Sequence, residues 1–186
     1  MAGFCTSRGH TPQSDDVAED LLSALKESGQ RTWLHPGYLE ERRSVEAWLH
    51  SEFVKKGKQP HLKSPLYFVL GEYDDFFNEG GFFSGSSPKK LELPLSLFDS
   101  DMISFTYPDS MPSLAIATDT TGRGDDYRKP IHGKVFTDEE IVDVIEEYGM
   151  PGDRWKTEEY WRFDRLVAVQ VWDDRPVWQF MQSDQA

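Results

Sequence analysis

Apolar positions first repeat at helical spacing between residues 14 and 29. Val17, Leu21, Leu22 and Leu25 share one face, Ser14 or Asp15 stands where a cap belongs, and Ser28 and Gly29 end the pattern. A longer stripe of Leu39, Val45, Trp48, Leu49 and Phe53 predicts a second helix over 36–56, opened by Pro36 and stopped by Gly57. Glu40, Glu41, Arg42, Arg43 and Glu46 sit between the apolar positions, and Lys55 and Lys56 near the end suit the helix dipole.

After Pro60 the period changes. The run Leu66, Tyr67, Phe68, Val69 and Leu70 lies between Pro65 and Gly71, so it predicts a strand covered on both faces and central in a sheet. Three further strands are predicted over 90–97, 102–107 and 113–118. The first alternates Leu91, Leu93, Leu95 and Leu97, with Pro94 marking an edge or bulge, and the second closes on Pro108 and Asp109. Thr137 and Glu140 form a capping-box signature ahead of Ile141, Val144, Ile145 and Tyr148, and Gly149 with Pro151 ends that helix. Residues 166–172 and 176–181 read as a hairpin turning at Asp173, Asp174 and Arg175.

This order predicts an α+β fold: a mainly antiparallel mixed sheet of about five to six strands, flanked by two N-terminal helices and one later helix. Residues 1–13 mix Gly, Ser, Thr, Pro and Gln without a period and read as a flexible segment, with 14–186 as a single globular domain. Two roles stay open for the aromatic stretch from Phe76 to Phe83, core or lid.

Composition narrows the chemistry. The chain has 186 residues, 33 acidic against 20 basic side chains, and a formal net charge of −13. The balance is even at the N-terminus, nine basic against nine acidic over residues 1–63, and acidic later, nine against sixteen over 119–186. Such a field opposes nucleic-acid backbones and anionic lipid and favours a basic protein partner. No nucleic acid, no membrane and a cytoplasmic location are therefore expected, the apolar runs being far shorter than the roughly 20 residues of a spanning helix. Oligomeric state is left open.

Cys5 is the single cysteine, so neither an internal disulfide nor a C-x-x-C metal pair can form, and no G-x-S-x-G turn is present. His10, His35, His50, His61 and His132 are scattered, so no metal site and no particular cofactor is expected. The loop over 119–134 is long and polar, a length that tends to be functional or disordered, and Arg123, Arg128, Lys129 and Lys134 make a basic spot in it.

Two functions follow. The first is an acidic binding or regulatory protein that meets a partner through aromatic and acidic surface, with Trp155, Trp161 and Trp178 as anchors. The alternative is a small-molecule or nucleotide-using enzyme with a cleft at the 119–134 loop, using Tyr67, Tyr107, Arg123, Asp125, Arg128 and His132. The order of a Tyr67-Phe68 strand, a strand of Ser104, Phe105, Thr106 and Tyr107, and a last strand through Val167, Ala168, Val169, Gln170 and Val171 loosely resembles ADP-ribosyltransferase domains. The resemblance implies a ribose-directed acid near the last strand, where this chain carries Gln170 or Ala168.

Overall fold

The long apolar stripe folds as helix α1 (Tyr38–Lys55), which buries Val45, Leu49 and Phe53 at four-residue intervals. Gly37 precedes it at φ 91°, and Gly57 at φ 82° leaves it in the left-handed region that favours glycine. The computed structural model describes residues 23–24, 35, 37–72, 91–120, 127–151 and 164–183. Of the helix expected over 14–28 only Ser23 and Ala24, both helical, lie among them; the rest, like Phe76 to Phe83, lies outside the described residues.

Four strands make one sheet: β1 (Leu66–Val69), β2 (Ile103–Thr106), β3 (Val135–Phe136) and β4 (Ala168–Val171). Their order is β1-β4-β2-β3 and every neighbouring pair is antiparallel. Three further helices follow α1, namely α2 (Ser110–Ala117), α3 (Asp138–Tyr148) and α4 (Arg175–Ser183), with a short 3-10 turn at Leu95–Leu97. The fold is thus α+β, with four helices and one four-stranded antiparallel sheet among the described residues.

Three predicted strands are corrected. Residues 91–97 do not extend as a strand; Leu93 makes a single bridge, and Pro94 precedes the 3-10 turn. Residues 113–118 belong to α2, because the Asp109 side chain accepts the Ser110 N–H and caps a helix there, where Pro112 falls in a first turn that needs no donor. Residues 176–181 belong to α4. Asp173 accepts the Arg175 backbone N–H at 3.0 Å, and Val177, Phe180 and Met181 reach the core at helical spacing. The sheet therefore has four strands where five to six were expected, and one described N-terminal helix stands where two were.

The 66–70 strand is also displaced in the order. Among the described residues it pairs only with β4 and lies at one end of the sheet; its continuous apolar character comes from cover on both faces, not from a central position. The two-residue β3 forms the other end.

Alternation along the strands divides the core. Phe68, Ile103, Phe105, Phe136, Val169 and Val171 face α3 and α4, joining Ile141, Val144 and Val177. Tyr67, Val135 and Trp172 face α1, joining Val45, Leu49 and Phe53. Phe105, Val167, Val171 and Trp172 are completely buried, each such aliphatic or phenyl side chain being worth about 1.5–3 kcal/mol. Helix α3 starts as expected: Thr137 accepts the Glu140 N–H while the Glu140 carboxylate accepts the Thr137 N–H at 2.9 Å.

Candidate functional site

The face of the sheet under α1 is not wholly apolar. The Trp172 indole N–H donates to Ser104 Oγ at 2.9 Å, Ser104 donates to Gln170 Oε1 at 2.9 Å, and Gln170 Nε2 donates to Thr106 Oγ1 at 3.2 Å. All four residues are fully buried, and each donor meets an acceptor, which is how a polar row survives in a core. Tyr67 lies across from Gln170 in register, and Gln170 lies across from Ser104. Of the positions that the transferase resemblance touches, Tyr67, Ser104 and Gln170 thus form one row beneath a helix, while Tyr107 does not join it.

Tyr67 is the exception to the matched bonding. Its ring carries the Arg42 guanidinium 3.5 Å above its centroid, but its hydroxyl is buried without a hydrogen-bond partner among the described residues. Burial pushes that hydroxyl far above its ordinary pKa, partly opposed by Arg42, so it stays protonated. Tyr107 lies on the other side of the sheet, completely buried, and donates to the Gly149 carbonyl at 3.2 Å. The two tyrosines are therefore not brought together.

In the 119–134 segment Arg128 is exposed and paired with Asp119, while Arg123 and Asp125 lie outside the described residues. His132 has turned inward. Its Nδ1 accepts the Lys129 N–H at 3.3 Å, so Nε2 carries the proton, 2.8 Å from Asp164 Oδ1. Lys129 Nζ holds the other oxygen of Asp164. Burial alone would raise the Asp164 carboxyl, but hydrogen bonds from His132 and Lys129 and the charge of Lys129 outweigh it and hold the group below its usual range. With both ring nitrogens engaged, His132 pins this segment to the chain ahead of β4.

The surface of α3 is a different matter. Six of its eleven residues are acidic, and none is basic. Glu139, Asp143 and Glu146 are exposed, form no ion pair among the described residues, and line one flank of Val142, which is 52% exposed. Like charges three and four positions apart oppose helix formation, so this face is kept at a cost in local stability. Of the expected aromatic anchors, Trp178 sits on α4, 48% exposed, with its indole N–H donating to Asp174 at 3.0 Å; Trp155 and Trp161 lie outside the described residues.

A cleft of about 390 Å³ opens beside β3, lined by Glu52 and Lys56 of α1, Gly133, Lys134, Val135 and Phe136, and Glu140, Asp143 and Val144 of α3. Sequence reading missed this site because β3 is too short to show a period; the density of acid over 138–147 was the signal that could have found its wall. Among the described residues no group of three or more His, Cys, Asp or Glu is arranged to hold a metal, and no helix is long and apolar enough to cross a membrane. No protein-family model, no curated protein and no solved structure matches this chain.

Proposed function

We propose that this chain is an acidic binding or regulatory protein that engages a basic protein partner through its acidic and aromatic surface. The observation that carries the reading is the exposed face of α3, where Glu139, Asp143 and Glu146 flank an exposed Val142 with no basic residue on the helix. An exposed apolar residue flanked by charge suits a small interface, in which the apolar contact gives affinity and the charges give attraction and orientation. Trp178 offers a second, amphipathic contact on α4.

The test is titration of the purified protein with a fluorescent lysine- and arginine-rich peptide at several salt concentrations. Tight binding at low salt is expected, weakening as salt screens the charges. The triple variant Glu139→Lys, Asp143→Lys, Glu146→Lys should weaken it at least about tenfold while folding normally, since all three side chains point to solvent. Binding that ignores both salt and the variant would overturn the reading, as would a large thermal stabilisation by a nucleotide with no response to any basic peptide.

A further inference from the structure

The sheet ends at β3, and what borders that end has a particular form. β3 pairs only with β2, so among the described residues its outer side has no strand neighbour. Helices α1 and α3 cover opposite faces of the sheet, and beside β3 the end of α1 and the first turn of α3 come close enough for Lys56 Nζ, on the residue after α1, to reach both oxygens of Glu140 at 2.6 Å. The 390 Å³ cleft is lined by both members of this ion pair, by residues 133–136 and by Asp143.

We infer that this edge accepts an extended segment of a basic partner as an added strand, with a lysine or arginine side chain reaching Asp143. Strand edges recruit such segments through backbone hydrogen bonds, while side-chain pockets supply selectivity. The cleft volume is at the lower end of ligand sites, enough for one long side chain and its backbone and too small for a folded element. Its charges point to a cation. Glu140 is neutralised by Lys56 and Glu52 by Lys55, which leaves Asp143 as the carboxylate with no ion-pair partner among the described residues. Lys134, exposed on the same strand edge, repels a second cation and so limits how the segment can sit. This inference rests on the proposed binding of a basic partner and specifies where and in what conformation that partner is held.

Two peptides test it: a seven-residue segment alternating valine and arginine, and the same sequence with its alternate backbone nitrogens methylated, which keeps the charge but removes the N–H donors on one edge. Binding is followed by amide chemical shifts in the full chain. The expected result is shifts at Lys134, Val135, Phe136 and Asp143, lost for the methylated peptide whose missing donors face β3, with affinity falling at least about tenfold. Asp143→Asn should weaken the unmethylated peptide alone, and a glutamate-for-arginine peptide should not bind. If neither set of nitrogens, methylated in turn, weakens binding, or the shifts fall only on the outer face of α3, the ion pair and Lys134 merely guard the edge against association and the inference fails. In that outcome the broader reading of a basic partner stands; if no basic peptide binds at all, both fall.

Discussion

His132 and Asp164 stand 32 positions apart in sequence and share a 2.8 Å hydrogen bond from which solvent is excluded. With Lys129 on the second carboxylate oxygen, the bond ties the turn ahead of β3 to the residues ahead of β4. A buried carboxylate held in this way is a stability element with a definite pH signature. Because its folded pKa lies below the ordinary 3.8, Asp164 contributes fully above that value, and the contribution disappears as pH falls from 3.8 through the lower folded value. Asp164→Asn should therefore lower stability at neutral pH by about 1–3 kcal/mol, and the gap between the proteins should close in acid. Melting temperatures from pH 7 down to pH 2.5 check this; a gap that is constant across the range would mean that the charge of Asp164 contributes nothing.

Ser104 sits in the middle of the buried chain, accepting from Trp172 and donating to Gln170. Ser104→Ala breaks both bonds and leaves the indole N–H and the amide oxygen without partners. The expected loss is about 2–4 kcal/mol, one to two unsatisfied groups' worth, or several degrees in melting temperature for a chain of this size. Trp172 fluorescence should shift in the same variant, since its N–H loses its acceptor.

Tyr67→Phe should do the opposite. The hydroxyl is buried and unpartnered among the described residues, so removing it removes a desolvation cost and keeps the ring beneath Arg42. The variant should melt at the same temperature or higher, whereas Arg42→Ala, which uncovers the ring, should melt lower by the equivalent of about 0.5–2 kcal/mol. A clear loss of stability in Tyr67→Phe would mean that the hydroxyl has a partner in solution.

Two glycines separate backbone strain from steric contact. Gly57 at φ 82° has open space where a Cβ would stand; Gly133 at φ 70° would place that Cβ 3.0 Å from the backbone N of Ala117. Gly57→Ala should cost only the left-handed conformation, about 1–2 kcal/mol. Gly133→Ala should cost more, because the neighbouring atom is backbone and cannot swing aside. Equal denaturation midpoints for the two variants would show that the turn at Gly133 has room to relax.

Several elements were legible in the chain alone because their signals are local. The stripe from Val45 to Phe53 specifies α1 whatever it packs against, and the capping box of Thr137 and Glu140 closes its hydrogen bonds within three residues. The strands around Phe68, Phe105 and Val169 are short β-rich runs between turn residues, and all three form. The same kind of run misled at 113–118 and 176–181. Ser113, Leu114, Ala115 and Ile116, or Val177, Trp178, Gln179 and Phe180, fit either period over so few residues, and the outcome was set by the caps at Asp109 and Asp173 and by which face found a core.

Sequence by itself thus determined an acidic α+β chain, its longest helix, its best-capped helix and three of its strands. Only the tertiary structure decided that the 66–69 strand ends the sheet, that Val135 and Phe136 form its other edge, and that Tyr67, Gln170 and Ser104 share one row. These are matters of register and strand order, fixed by pairing between residues 29 to 105 positions apart, and no periodicity within a segment records them. The candidate site divides in the same way: the acid of α3 is plain in the chain, but the cleft lies where the end of α1 and the first turn of α3 come together beside the two-residue β3, at Lys56 and Glu140.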